Sequence, residues 1–541
     1  MLTITLRLLL ATLLLCLAAC NPTSTPNNSA SVATSSAIMM PPQETDDDLH
    51  GIDWFQGSVA EAFSLAASSG KPIFLYWGAV WCPPCQEIKH TVFKSSQFIA
   101  QSKLFIPVYL DGDTDRAQTL GEKFGVKGYP TMIVFSPQGE EVTRIPGGID
   151  ISRYNAILAA SLDSLRSTRL LVQLALNTPN LLVSTDYRQL AYYSWGQDFE
   201  ALPAGTDPIL FNQLAKRILD QDPESSARLY LQYLVMLAKA QTENLVKVEP
   251  GQLLVILNSP ALVIGTWDYL AYQAKEISSV LDLDDLALDN LKDRWQQVML
   301  EQRHHAALST AEQLGGWFPY LTFYFEDAST NTAVPADQLA AIRQDAETAN
   351  RVTRNAYARQ SVVNQVSYLL ETAGLQDEAR QLLLAELERS AAPYYFMSSL
   401  GALAEAQGHI EEALAWRNKA YQVSEGRATR LQWGVSYVDS LIRLAPQQTE
   451  TISQTALTLL DELSEGHIED GGIDDTFAGR NFRALRRLHK NLLAWHATQI
   501  DGPLLENLNA RLGYLCGRQP AGSTTAANCQ SLLVAPNQDR S

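Results

Sequence analysis

The sequence predicts an α/β domain followed by a long region that is helical throughout. Residues 71–145 alternate short apolar, β-prone runs with segments of helical spacing, which is the pattern of a sheet covered by helices. From about residue 166 onward strand signals nearly vanish, and apolar residues recur at helical spacing between short breaks. With 541 residues, of which 46% are hydrophobic and 18% charged, the chain is long enough for two or three cores.

The first 48 residues predict a leader and a tether. An apolar stretch at 8–17 has the length of a signal-peptide core and is too short to span a bilayer. It ends in Leu-Ala-Ala-Cys at Cys20, which resembles the bacterial lipobox. Residues 1–19 are therefore predicted as a lipoprotein signal peptide and Cys20 as the acylated (palmitate-type) residue. The alternative is an ordinary secretory signal in which Cys20 is incidental. Residues 20–48, rich in Ser, Thr, Pro and Asn, predict a flexible tether.

Composition and leader together predict the compartment and the partners. Asn21 stands where an aspartate usually signals retention in the inner membrane, so the outer membrane is favoured, with the protein facing the periplasm. The formal net charge of −18, from 41 basic and 59 acidic residues, argues against nucleic acid as a partner. No later segment offers the roughly 18 uninterrupted apolar residues of a transmembrane helix.

The α/β domain is predicted over residues 49–166. Strands are expected at 71–77, 104–110, 131–135 and 141–145. Helices are expected within 53–70, after Cys82, from near Asp113 and over 152–165.

Two of the six cysteines stand three positions apart in Trp81-Cys82-Pro83-Pro84-Cys85, between the first strand and the helix after it. Pro83 and Pro84 suit the first turn of a helix, where backbone N–H groups have no intrahelical partner. The pair can serve as a metal clip, a structural disulfide or a redox couple. Structural zinc needs four ligands, and no second CxxC or spaced histidine pair occurs nearby, so we expect no metal.

Several matched elements resemble the thioredoxin-like superfamily. Trp-Cys-x-x-Cys lies at a strand-to-helix junction, and Gly128-Tyr129-Pro130-Thr131 precedes an apolar strand, with its proline 45 residues after Cys85. Gly147-Gly148 follows the predicted hairpin. The stretch GKPIFLYWGAVWCPPCQEIKHTVF looks most like the C-terminal domain of the disulfide-interchange protein DsbD and related periplasmic domains. The resemblance covers roughly residues 50–165.

The resemblance implies a redox-active pair that needs no cofactor beyond its own disulfide. Cys82, at a helix N-terminus that favours a thiolate, is the expected attacking sulfur, and Cys85 is the expected resolving thiol. Pro130 is expected to be cis and, with Tyr129 and Trp81, to contact substrate.

One position departs from the family. Thioredoxins carry a buried acid six residues before the first cysteine, where this chain has Tyr76. Proton transfer to and from Cys85 is then left to water, to Glu87 or to the Tyr76 hydroxyl. Pro83 and Pro84 are expected to stiffen the loop between the cysteines.

The helical region contains one detectable repeat. Gly374 and Gly408 are 34 residues apart, as are Ala379 and Ala413, a spacing that resembles the tetratricopeptide repeat. We predict a helical region at 167–350, tetratricopeptide-like repeats at 351–464 and a helical cap at 465–541. A generic helical bundle is the alternative for the repeat region.

The tail carries the remaining cysteine pair. Cys516 and Cys529 bracket a Gly/Ser/Thr-rich loop and predict a loop-closing structural disulfide, with a second redox couple as the alternative.

The functional expectation is a membrane-anchored, periplasm-facing thiol:disulfide oxidoreductase, more a reductase than an oxidase. Its partners would be client proteins with thiols or disulfides and an unidentified electron donor or acceptor at the membrane. The alternative is a repeat scaffold or chaperone for envelope proteins, in which the thioredoxin-like part is a non-catalytic docking module.

Overall fold

A computed structural model describes residues 51–145, 151–198, 201–240, 247–327, 333–465, 476–498 and 504–533. The predicted signal peptide, Cys20, the tether and Gly147-Gly148 lie outside these ranges. The chain divides into two units. Of the described residues, those within 51–112 and 126–375 form the first unit, and those within 113–125 and 376–533 form the second unit.

A four-stranded mixed sheet forms the centre of the α/β domain. Its strands are β1 (Ile73–Gly78), β2 (Ile106–Asp111), β3 (Thr131–Phe135) and β4 (Glu141–Ile145). Their order in the sheet is β2-β1-β3-β4, with β1 parallel to β2 and antiparallel to β3, and β3 antiparallel to β4. Every residue of β1 and β3 is buried, as expected for central strands covered on both faces. The predicted α/β fold class is confirmed.

Helices of the first unit flank this sheet. Ser58 caps α1 (Val59–Ser69) with a reciprocal capping box formed with Glu61, and Gly70 ends it at φ +71°. The other flanking helices are α2 (Pro83–His90), α3 (Ser96–Gln101) and α5 (Ile151–Ser164). The predicted positions of α1, α2 and α5 agree to within a few residues, whereas α3 was not predicted.

The rest of the first unit is helical. Its elements are α6 (Thr168–Asn177), α7 (Ser184–Tyr192), α8 (Ile209–Ile218), α9 (Pro223–Ala240), α10 (Gly251–Leu257), α11 (Pro260–Gly265), α12 (Trp267–Tyr272), α13 (Ala274–Ser279), α14 (Asp285–Gln302), α15 (Thr310–Leu314), α16 (Phe318–Asp327), α17 (Ala336–Val352) and α18 (Ala356–Thr372). One hydrophobic core joins sheet residues such as Phe74 and Met132 to Leu171 and Trp295 of the helices and to Trp195 in the turn after α7. Across the part of the chain that the structure describes, no helix has the length and apolarity to cross a bilayer.

The second unit has its own hydrophobic core. It contains α4 (Asp115–Lys123), α19 (Gln376–Glu386), α20 (Pro393–Ala406), α21 (Ile410–Val423), α22 (Arg427–Leu444), α23 (Thr449–Glu465), α24 (Gly479–His496), α25 (Leu504–Gly517) and α26 (Thr524–Gln530). Apolar side chains from α21 to α26 form the core. Glu122 of α4 accepts a hydrogen bond from the Gly479 N–H at 2.7 Å, which ties α4 to the start of α24. A disulfide joins Cys516 to Cys529, whose Cα atoms are 5.5 Å apart.

The two repeat-related glycines form the same local turn. Gly374 follows α18 at φ +83°, and Gly408 follows α20 at φ +77°. In each turn the next residue, Leu375 or His409, donates its N–H to the carbonyl five positions earlier, as in a Schellman motif. The region is helical, whereas its assignment to tetratricopeptide repeats, like the domain boundaries, stays a prediction.

Candidate active site

The two cysteines of the motif lie at the start of α2 and are joined by a disulfide. Cys82 is the N-cap residue, Pro83 and Pro84 occupy the first turn, and the Cα atoms of Cys82 and Cys85 are 5.2 Å apart. The Cys85 N–H donates to the Cys82 sulfur at 3.3 Å. A backbone donor and the positive end of the helix dipole thus both face this sulfur, and both stabilise a thiolate.

Gln86 holds the loop that leads into the motif. Its side-chain amide nitrogen donates to the carbonyl oxygens of Ala79 at 3.1 Å and Val80 at 2.8 Å. Gln86 is buried, so these hydrogen bonds are shielded from water. The turn between β1 and α2 is thereby fastened to the helix that carries the cysteines.

The Tyr129–Pro130 peptide bond is cis, as the resemblance implies. The Tyr129 hydroxyl donates to the Gly112 carbonyl at 2.8 Å, and its ring lies 6.2 Å from that of Trp81. Trp81 and Tyr129 both pack against a small apolar cluster that contains the two cysteines. The structure therefore brings Cys82, Cys85, Trp81, Tyr129 and Pro130 together.

A residue from the helical region binds the loop that contains the cis-proline. The Gln197 amide nitrogen donates to the Pro130 carbonyl at 3.1 Å, and its oxygen accepts from the Thr131 hydroxyl at 3.4 Å. Thr131 also donates to the Gly128 carbonyl at 2.7 Å. Hydrogen bonds from Gln197 and Thr131 thus hold the loop around Pro130 in place.

Tyr76 occupies the position where thioredoxins carry a buried acid. Its hydroxyl donates to the Cys85 carbonyl at 3.3 Å. Burial, assisted by the nearby Asp111 carboxylate, raises the pKa of the Tyr76 hydroxyl far above its ordinary value. The group therefore stays protonated at neutral pH and acts as a hydrogen-bond donor to the backbone of Cys85.

Glu87 makes contacts away from the cysteines. It lies two positions after Cys85, and residues two apart on a helix do not share a face. Its carboxyl group accepts hydrogen bonds from the hydroxyls of Ser309, the N-cap of α15, and of Ser361 on α18, the second at 3.2 Å. Burial raises the pKa of Glu87, and the two serine hydrogen bonds oppose that rise.

Both cysteines of the motif are closed off from solvent. Cys82 is 2% exposed and Cys85 is fully buried. Helix α18 packs against α2, and the Gln360 side-chain amide donates to the Trp81 carbonyl at 3.3 Å. Cys516 and Cys529 belong to the other unit, and in the described residues no group of three His, Cys, Asp or Glu side chains is arranged to hold a metal.

Four of these contact residues were not predicted from the sequence: Gln197, Ser309, Gln360 and Ser361. They lie 66 to 279 positions from the residues they bind, and no local pattern singles them out. Gln86 was also missed, although its place directly after Cys85 offered a signal. A polar side chain in the first turns of α2 lies close to the turn between β1 and α2, where it can bind backbone carbonyls.

Comparison with known proteins places this site in a matched domain. Residues 59–161 match the model of a family described as a thioredoxin-like domain. The thiol:disulfide interchange protein DsbD of Yersinia pestis is 33% identical over 94 residues, which cover 17% of this chain and 16% of that protein. Nucleoredoxin of Bos taurus is 30% identical over 106 residues, or 15% of this chain and 24% of that protein.

A third relative, protein disulfide-isomerase erp38 of Neurospora crassa, is 28% identical over 96 residues, or 18% of this chain and 26% of that protein. The chain spans between 16% and 26% of the length of these relatives. The family match over residues 59–161 includes the CxxC motif. Residues 59–161 therefore form a thioredoxin-like domain, and the proteins that it resembles include disulfide oxidoreductases.

Proposed function

We propose that the protein reduces disulfides in client proteins through Cys82 and Cys85. The observation that carries this proposal is the disulfide at the N-terminus of α2, beside a cis-proline and two aromatic side chains. Trp81 and Tyr129 offer apolar contact for a client segment, and the loop at Pro130 offers backbone groups that can pair with an extended chain.

The reaction begins from the reduced pair. The Cys82 thiolate attacks one sulfur of the client disulfide, forms a mixed disulfide and expels the other client sulfur as a thiolate. Cys85 loses its proton and attacks the Cys82 sulfur, which releases the second client thiolate and forms the Cys82–Cys85 disulfide. Two electrons pass from the pair to the client, and the two client thiolates take up protons. The Cys85 N–H stabilises Cys82 whenever that sulfur is a thiolate.

The cellular setting is part of the proposal. We propose that Cys20 is lipidated, that residues 21–48 tether the protein to the outer membrane, and that it faces the periplasm. A dithiol donor at the membrane returns electrons to the Cys82–Cys85 disulfide. The similarity to DsbD, a protein named for thiol:disulfide interchange, supports exchange chemistry at this pair. The resemblance to its C-terminal domain is our reason for proposing the reducing direction.

The first test is the reduction potential of the Cys82–Cys85 pair in the purified protein. The protein is equilibrated with glutathione buffers, alkylated and analysed by mass spectrometry. We expect a potential near that of thioredoxin, about −270 mV, whereas a value near −120 mV would indicate an oxidant.

The control is a variant with Cys516→Ser and Cys529→Ser, in which the potential of the first pair should not change. A Cys82–Cys85 pair that fails to cycle would contradict the enzymatic function and leave the scaffold as the alternative.

A further inference from the structure

The burial of the redox centre conflicts with its proposed chemistry. Thiol–disulfide exchange requires the attacking sulfur to reach a sulfur of its partner directly. Cys82, which is 2% exposed, offers no room for a disulfide held in another protein. Something next to the motif must therefore move before a client can react.

The helix that packs on α2 comes from the helical region. α18 contacts the residue before the first cysteine through Gln360, which donates to the Trp81 carbonyl, and contacts α2 through Ser361, which donates to Glu87 six residues further along. Gln360 and Ser361 are 3% and 6% exposed. Trp81 precedes Cys82 and Glu87 follows Cys85, so the two contacts lie on either side of the cysteine pair in the sequence.

These contacts are of a kind that can separate. Gln360 and Ser361 join the segment of the redox motif by hydrogen bonds, which water can replace when the helices part. Interfaces that open and close are more polar than permanent ones. The start of α18 has a separate attachment, because Arg359 donates to the carbonyls of Asn350 at 2.9 Å and Thr353 at 2.8 Å. These bonds hold the start of α18 to the end of α17 independently of its contacts with α2.

We propose that α18 is a specificity-determining cover, held on α2 by Gln360 and Ser361, which excludes protein disulfides from Cys82 until it is displaced. This inference rests on the proposed function. The cover makes reaction with large partners depend on their ability to displace α18. Small disulfides, which need less space, are affected less.

The test compares two double variants of the full chain. Gln360→Ala with Ser361→Ala removes the hydrogen bonds from α18 to α2. Ser367→Ala with Thr372→Ala is the matched control, because these side chains bond only within α18, to Glu371 and to the Tyr368 carbonyl. The reduced proteins are assayed for alkylation of Cys82 by a maleimide that carries a long polyethylene glycol chain, a reagent too bulky to pass the cover, and for reduction of insulin and of oxidised glutathione.

We expect Cys82 to be alkylated at least tenfold faster in the Gln360/Ser361 variant than in the parent. The variant should also reduce insulin faster than the parent does, and this increase should exceed the increase in its rate of glutathione reduction. The control should stay within twofold of the parent. Unfolding midpoints verify that the variants are folded, and the single variant Gln360→Ala serves if the double variant is not.

Equal alkylation rates of Cys82 in the parent and in the Gln360/Ser361 variant would contradict the proposal that α18 covers Cys82. Alkylation does not require catalysis, so it separates the two proposals. Fast alkylation of the variant, combined with no reduction of either disulfide, would contradict the proposed function and support the cover.

Discussion

At Glu87, one carboxyl group connects three helices. It belongs to α2, and it accepts hydrogen bonds from the N-cap serine of α15 and from Ser361 of α18. Burying a carboxylate is costly unless hydrogen bonds replace its hydration. The raised pKa of Glu87 shows that its two serine donors do not fully offset this cost.

Replacing Glu87 by Gln should change the pH dependence of stability. Because folding raises the pKa of this carboxyl, its stabilising contribution is complete below the unfolded value of about 4.3 and is lost as the pH rises through the folded value. The free energy of unfolding of the Glu87→Gln variant, relative to that of the parent, should therefore increase as the pH rises from 4 to 7. Denaturant unfolding at each pH measures the difference.

The matched control for this prediction is Glu140→Gln, at an exposed position in the turn between β3 and β4 of the same unit. A difference between Glu87→Gln and the parent that does not vary with pH would contradict the prediction.

At the scale of elements, the turns after α18 and α20 show how a glycine ends a helix here. Gly374 and Gly408 both have positive φ, and a Cβ at either position would meet open space. The need for glycine is therefore conformational, since a side chain in the left-handed region is strained even without a clash.

Gly374→Ala and Gly408→Ala should each lower the free energy of unfolding by about 1 kcal/mol. The control is Gly513→Ala, inside α25, where space is also open and φ is not positive. Alanine there should raise stability by about 1 kcal/mol, since glycine is a poor helix former. Denaturant unfolding of the three variants measures the differences, and the same sign at all three sites would rule out this explanation.

At the scale of the whole molecule, the chain forms two units, each with its own hydrophobic core. In the second unit, the Cys516–Cys529 disulfide closes the connection between α25 and α26. Both cysteines take part in that unit's apolar core, next to leucines of α25. The bond therefore fastens the last helix to the core.

Cys516→Ser with Cys529→Ser should destabilise the second unit by about 3 kcal/mol, since a crosslink 13 residues apart restricts the unfolded chain by about that amount. Thermal unfolding, with and without reductant, measures the loss. The parent in reductant should approach the variant in oxidising buffer. An unchanged Tm in the variant would contradict a structural role for this disulfide.

The sequence alone predicted the features that depend on neighbouring residues. Strands β3 and β4 lie where expected, because short β-prone runs next to turn residues specify strands locally. Trp81-Cys82-x-x-Cys85 and the proline before β3 predicted the redox pair and the cis bond. The mainly helical character of the described residues after 166 followed from spacing in the same way.

The tertiary structure decided what covers the redox pair and what binds its loop. Gln360 at Trp81, Ser309 and Ser361 at Glu87 and Gln197 at Pro130 are contacts between distant parts of the chain. Short-range periodicity shows that a helix has a buried face, but not which partner buries it. That choice depends on how all the apolar faces of a unit pack at once. The position of the Cys82–Cys85 pair at the start of a helix could therefore be predicted from the sequence, whereas its burial could not.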